Sequence, residues 1–510
     1  MNTRSGEAAL VGAGITYLLF VGWAIGNVSY DVWGALIVTP IYGILGWAIA
    51  NRMFRGSMRP LAIVMSWGLL FKLGGTLGRY WVGFEAYGGG TDAVRYHTYA
   101  TEAVSKVWAG DASVFTVLPS GSSTQFLERF TAFVYLLTGT SQLAGFITFG
   151  FLAFVGTMFF VKAAAIAIPS LAGRRYAWMC VLFPSIAYWP ASIGKEATIF
   201  LGIGVATYGI ATLFAYGRWT SSIVLAGAGL GLTALVRPHI AGVWTAAALP
   251  GLVVALVRGP SAGGGRERKR AVNKFGVVAA LVVAVFGLAI LASTTVKLLA
   301  PANDETATSD SLTQILEETT RVTSKTAGST FTPPSVSSPT SWPYASLRTL
   351  TRPLPFEARG AAQLLSALEM TVLVALCLGS WRRLANLPRL VVNNGYVAFA
   401  LTALFLGGLA YASFGNLGIL TRQKSLLFPF LVLMPCLPSR QWRKPTESGS
   451  AQRAPSRGKV AITNESQQAV PMGAPATDRA FTLGMHNRQE PVATADTTSE
   501  RSPLLDDIWA

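Results

Sequence analysis

About a dozen apolar stretches of membrane-spanning length alternate with loops along this chain, and every second loop is basic. The basic loops read NRMFRGSMR, AGRRYA, AYGRW, RGPSAGGGRERKRAVNK, WRRLANLPR and SRQWRK. With the N-terminus and their flanks they carry 20 Lys and Arg against two acids, Glu7 and Glu267, whereas the intervening loops are near charge balance. A bilayer offers the backbone no water, so each crossing needs ~20 apolar residues wound into a helix. Loops rich in Lys and Arg stay cytoplasmic, which orients the whole series. The sequence therefore predicts an all-α fold: a polytopic membrane helix bundle of about twelve transmembrane helices. Both termini face the cytoplasm, and the bundle belongs in the cytoplasmic membrane.

The expected spans are 8–26, 33–50, 60–81, 142–164, 175–190, 197–216, 219–236, 240–257, 275–299, 361–381, 391–412 and 425–439. The stretch 175–190 is short and holds Pro184 and Pro190, so a broken or tilted helix is expected there. Its freed backbone groups need protein or a wet cavity to satisfy them. The first stretch follows MNTRSGE and reads as a retained span rather than a cleaved signal. Residues 1–444 form the membrane domain, with two large outside loops. Loop 82–141 contains FLERFTAFVYLLTG, whose apolar residues recur at helical spacing, as in interfacial helices lying along the membrane. Loop 300–360 begins polar and mobile and ends in SWPYASLRTLTRPLPFEARG, expected to pack against the membrane face. Residues 445–510, rich in Ser, Thr, Pro, Ala and Gln, read as a disordered cytoplasmic tail.

The chain is 51% hydrophobic and 13% charged, with a net charge of +17. That excess lies in short loops beside spans, where anionic lipid headgroups are the partner. No basic patch is interleaved with stacking aromatics, so nucleic acid is not an expected partner. Cys180, Cys377 and Cys436 fall in apolar segments and read as small buried hydrophobes. No GxxxxGK[ST], HExxH, GxSxG or Cys/His cluster is present, so neither a cofactor nor a metal is expected. GGGT at 88–91 reads as a flexible hinge.

Charges on the expected outer side are the candidates for chemistry. Lys72 and Arg79 share a face of the third span, and Lys72 is near mid-span, where a charge needs a partner or water. Asp92, Arg95, Tyr96 and His97 follow just outside; if that segment is helical, Asp92, Arg95 and Tyr96 share a face. Asp can serve as a general base, Arg can bind phosphate oxygens, and His can do either near neutrality. Lys195 and Glu196 stand at the outer end of the broken span; being adjacent they do not face each other, so a mutual bridge is not expected. Arg237, Pro238 and His239 form a very short turn, which keeps their side chains at headgroup depth. Arg348, Arg352 and Arg359 precede the tenth span, and Arg422 and Lys424 open the twelfth. Topology thus brings Arg79, Arg95, Lys195, Arg237, Arg352, Arg422 and Lys424 to one plane, on the side that normally holds fewer cations. An anionic, membrane-embedded substrate met from outside explains them most simply: a saccharide on polyprenyl phosphate or pyrophosphate.

The order of these features resembles bacterial polysaccharide polymerases of the O-antigen type and, more broadly, GT-C membrane glycosyltransferases. The resembling pieces are TDAVRYH, FPSIAYWPASIGKEA, LVRPHIAG, RTLTRPLPFEARG and TRQKSLLFPF, short islands across residues 79–430. The resemblance implies joining of lipid-linked oligosaccharides on the outer face, with outside arginines holding the carrier pyrophosphate. For the GT-C class it also implies an acidic base in the first outside loop, here Asp92, although no paired-acid motif stands there. His97, Glu196 and His239 are alternative bases. A GT-C transferase of single sugars, a transporter or flippase of lipid-linked sugars, and a scaffold working with envelope-assembly proteins are the competing readings.

Overall fold

A computed structural model describes residues 3–439, apart from 87, 90, 169, 260–281, 283–284, 286, 288–329, 337 and 359–360. The expected ninth span, most of the 300–360 loop and the 445–510 tail thus lie outside the described residues, in whole or nearly so. Among the described residues the fold is all-helical, with one isolated bridge between Thr330 and Asn416.

The first half comprises α1 (Thr3–Asn27), α2 (Tyr30–Met53), α3 (Arg59–Trp81), α4 (Asp92–Ala109), α5 (Ser123–Thr138) and α6 (Gln142–Ala167). It continues with α7 (Gly173–Leu182), α8 (Pro184–Tyr188), α9 (Lys195–Tyr216), α10 (Trp219–Val236) and α11 (Pro238–Arg258). The second half comprises α12 (Trp342–Thr351), α13 (Ala361–Gly379), α14 (Trp381–Leu384), α15 (Leu387–Asn393), α16 (Gly395–Ala410), α17 (Leu417–Lys424) and α18 (Phe428–Leu433). Among the described residues eight helical stretches are long and apolar enough to cross a membrane, or nine if Gln363–Gly379 and Trp381–Asn393, bent by 71°, form one span. That architecture is compatible with a multi-pass membrane protein.

The break expected within 175–190 is present, and the last span differs from its expected limits. Residues 175–190 form two short helices, α7 and α8, broken where Pro184 removes a backbone N–H and forces Phe183 into extended conformation. The last stretch runs Leu417–Cys436 rather than starting near 425, so Arg422 and Lys424 lie one to two turns inside it. Asn416 sets that earlier start, because its side chain accepts from Gly418 N (2.9 Å) and Ile419 N (3.2 Å). α1, Thr3–Asn27, covers the first expected span.

The bundle packs on α6 and α9, the two most deeply buried spans. Lipid tails are as apolar as Leu, so close backbone approach rather than water expulsion drives such contacts. Gly156 and Gly204 permit it: a Cβ on either would stand 2.6 Å from a backbone oxygen of the other helix. Phe430 forms a second centre, with its ring against Phe160, Trp244, Tyr396 and Phe399. Outside this bundle α4 and α5 pair, burying Ala93, Tyr96, Ala100 and Val104 from one and Phe126, Leu127, Thr131 and Tyr135 from the other.

Candidate functional site

Three helix starts and one helix interior supply the site. Glu196 stands in the first turn of α9, where a carboxylate suits the positive helix end. Arg237 is the single extended residue between α10 and α11, held out of the helical region by Pro238. Asp92 opens α4, and Arg422 and Gln423 project from α17.

Glu196 is the hub. Its side chain is only 2% exposed, and its Oε2 accepts from Arg422 Nη2 at 2.7 Å while Oε1 accepts from Arg237 Nη2 at 3.3 Å. Gln423 Nε2 also donates to Oε1 at 3.4 Å, and its Oε1 accepts from Arg237. Arg422 reaches outward as well, donating to Asp92 Oδ2 at 3.3 Å. Exposure grades outward through the network, from Glu196 to Arg237 (20%), Arg422 (28%) and Asp92 (63%).

Lys195 turns the other way, as adjacent helical positions require. Its Nζ donates to Ser123 Oγ and Thr124 Oγ1, both at 3.1 Å, yet it stays within electrostatic reach of Arg237, Asp92, Glu196 and Arg422. The group therefore holds three cations against two carboxylates. Tyr96, buried on the inner face of α4, lies beside the Thr124 side chain. Burial first, then the carboxylates of Asp92 and Glu196, push its hydroxyl up to about 12, so it stays neutral.

The other expected residues are held elsewhere. Arg79 donates to Tyr188 Oη at 3.2 Å and lies 5.1 Å from the ring centroids of Tyr188 and Trp189. Arg95 pairs with Glu128 at 2.9 Å on the outside of the α4–α5 pair. His97 Nδ1 is 2.7 Å from Tyr135 Oη, on a different face of α4 from Asp92. Arg352 bonds Glu357 at 3.0 Å and covers the Phe331 ring at 4.5 Å, and Arg348 joins the same carboxylate at 2.6 Å. Lys424 is buried and donates to the carbonyls of Leu350 (3.2 Å) and Arg352. His239, two residues from Arg237, is exposed. Of the seven cations expected in one plane, Arg237, Arg422 and Lys195 share the Glu196 site, and the other four have local partners.

Buried charges brace the site from behind. Lys72 Nζ donates to the carbonyls of Ile186 (3.0 Å) and Pro190 (3.1 Å), capping the broken helix. Glu369 caps its opposite end, accepting from Ser185 N (2.8 Å) and Ser185 Oγ (2.5 Å). The freed backbone at the two prolines is thus satisfied by protein.

Sequence reasoning missed Gln423, Glu369 as a helix cap, and the hydroxyls of Ser123 and Thr124. Gln423 lies between two cations in TRQKS and has no charge of its own to draw notice. Among the described residues no three His, Cys, Asp or Glu side chains are placed to hold a metal ion. Chemically, the arrangement offers two partly open guanidinium groups and an ammonium for an anion, beside one open carboxylate able to take a proton. No family model matches the chain, and neither a curated protein nor a solved structure does.

Proposed function

We propose that this chain is a membrane glycosyltransferase of polymerase type, joining saccharides carried on polyprenyl phosphate or pyrophosphate at the outer face of the cytoplasmic membrane. The reading takes twelve spans with both termini cytoplasmic. The observation that carries it is the Glu196 network: three cations against two carboxylates, beside apolar helices, with Arg237 and Arg422 partly open. A fixed guanidinium fork suits phosphate oxygens, and pre-set donors stabilise charge as it develops on a leaving group.

In this mechanism the acceptor hydroxyl oxygen bonds to the anomeric carbon of the donor sugar. The bond from that carbon to the carrier phosphate oxygen breaks, and its electron pair leaves with the phosphate. Asp92, the open acid of the network, takes the hydroxyl proton. Arg422 touches both Asp92 and Glu196, so it couples the base to the anion site. Glu196 has both oxygens occupied and orients the two guanidinium groups instead.

Arg237→Ala and Arg422→Ala are expected to insert normally yet lose 10²- to 10³-fold in rate, roughly the cost of one well-placed donor. The measurement is elongation of a lipid-pyrophosphate oligosaccharide by the purified protein; full activity in both variants refutes the assignment. Addition of one sugar only favours a single-sugar transferase. Translocation across vesicles without elongation favours a flippase, against which stands the use of Lys72 and Glu369 as helix caps.

A further inference from the structure

A second site lies at the opposite end of α3 from Arg79. A cavity of about 280 Å³ is lined there by Pro60, Ile63, Val64, Trp67, Arg174 and Trp178. α3 and α7 run parallel with their starts together: a side chain at Gly173 would meet Leu61, and one at Gly68 would meet Val181. Twenty-three residues of helix at ~1.5 Å each separate this end from the other by ~34 Å, about a bilayer thickness.

Among the described residues the starts of these two helices carry cations and no acid. Arg59 opens α3, and Arg174 and Arg175 open α7. Arg175 donates to Ser380 Oγ at 3.2 Å, while Arg174 is exposed and has no hydrogen bond or ion pair among the described residues. Cations at helix starts oppose the dipole, so an anion beside them relieves both.

The walls leading away from Arg174 are apolar. On α3 Ile63, Trp67, Leu70 and Phe71 are exposed by 58%, 56%, 58% and 48%. They recur at positions i, i+4, i+7 and i+8, one continuous stripe along the helix. Leu182, four residues beyond Trp178, extends the opposite wall and is 47% exposed. A free phosphate or a nucleotide has no use for such a stripe. A lipid does: its phosphate meets Arg174, its glycerol end enters the cavity, and an acyl chain follows the apolar groove.

We propose that the α3–α7 groove binds an anionic phospholipid, with Arg174 at the phosphate and Trp67 and Trp178 flanking the headgroup. This site is independent of the glycosyltransferase reading and requires only that the helices lie in a membrane. The volume suits a headgroup rather than a whole lipid, which leaves the chains outside along α3.

The test uses the full chain purified in a neutral detergent. Dioleoyl phosphatidylglycerol, dioleoyl phosphatidylcholine and inorganic phosphate are each titrated, and binding is read by native mass spectrometry and thermal shift. Phosphatidylglycerol is expected to bind and raise the unfolding temperature, with little effect from the other two. Arg174→Gln is expected to weaken it roughly five-fold, the value of one basic residue at a lipid surface. Arg389→Gln, an exposed cation away from the cavity lining, is expected to retain wild-type binding. Equal binding of both lipids, equal protection by inorganic phosphate, or an unchanged Arg174→Gln overturns the proposal. Should Arg174→Gln fail to fold, Trp67→Ala serves instead, with the same loss expected.

Discussion

Glu196 is one buried carboxylate between two guanidinium groups, and that imbalance sets the order in which substitutions there act. Glu196→Gln keeps the shape but leaves Arg237 without its carboxylate partner and Arg422 with only the open Asp92 carboxylate. Breaking a buried pair from one side costs ~3–5 kcal/mol; the lower end applies because the guanidinium groups are 20% and 28% exposed. Arg237→Ala leaves Glu196 still bonded to Arg422, so the expected order of lost thermal stability is Glu196→Gln above Arg237→Ala. Unfolding in detergent checks this, and a reversed order would mean that the carboxylate does not compensate the pair. His97 gives a pH dependence of definite sign. Burial first lowers its pKa below 6.5, against a smaller opposite pull from the Asp31 carboxylate. The unfolded chain therefore takes up this proton before the native one does. The His97 contribution is constant above about pH 6.5, declines as pH falls from there to the native pKa, and is flat below. Comparing unfolding temperatures of wild type and His97→Gln from about pH 8 to about pH 5 isolates it, because the variant lacks that decline.

At the scale of elements, the broken helix α7–α8 decides where Lys195 and Glu196 stand. Its caps come from far along the chain: Lys72 is 114 residues from Ile186, and Glu369 is 184 from Ser185. Lys72→Met would leave two buried carbonyls without that donor, at about 1–3 kcal/mol each. Gly75→Ala would press a Cβ to 2.6 Å from the Ala187 oxygen, whereas one at Gly74 meets nothing within 4 Å. Both disruptive changes are expected to loosen residues 184–196, and Gly74→Ala is not. A thiol at Ser192, which is 8% exposed, reports it in a Cys377→Ser background. Labelling should accelerate in Lys72→Met and Gly75→Ala alone; equal rates in all variants would mean that no such grip exists. The break itself was legible in the sequence, because Pro184 cannot continue a helix. What fills it was not, since hydropathy and spacing carry no lateral information. The same limit explains the cations. Short turns fixed the depth of Arg237 and the run TRQKS marked Arg422, but packing alone decides that both meet Glu196, 41 and 226 residues away. Arg79, Arg95 and His97 were also placed near the site by depth, and helix faces turn them to Tyr188, Glu128 and Tyr135 instead.

For the whole molecule, the two proposed sites depend on one vertical axis. α3 joins them, with the Arg174 groove at its start and Arg79 near its end. The loops at the starts of α3 and α7 are basic without acids, while the segment from Asp92 to Glu128 mixes both signs. By the bias of Lys and Arg toward the cytoplasm, the proposed function takes the first end as inward and the Glu196 network as outward. Single cysteines test this on the intact chain. Asp111 and Arg55 are exposed at opposite ends of the bundle, and Cys180 and Cys436 are buried at 1% and 0% exposure. In a Cys377→Ser background, Asp111→Cys is expected to react with a membrane-impermeant maleimide on whole cells, and Arg55→Cys only after permeabilisation. The reverse pattern would put the Glu196 network in the cytoplasm, where an outward-facing lipid-linked donor could not meet it. The groove at Arg174 would survive that result, since anionic lipid can be supplied from either leaflet. The labelling therefore separates the two proposals, and it bears hardest on the enzymatic one.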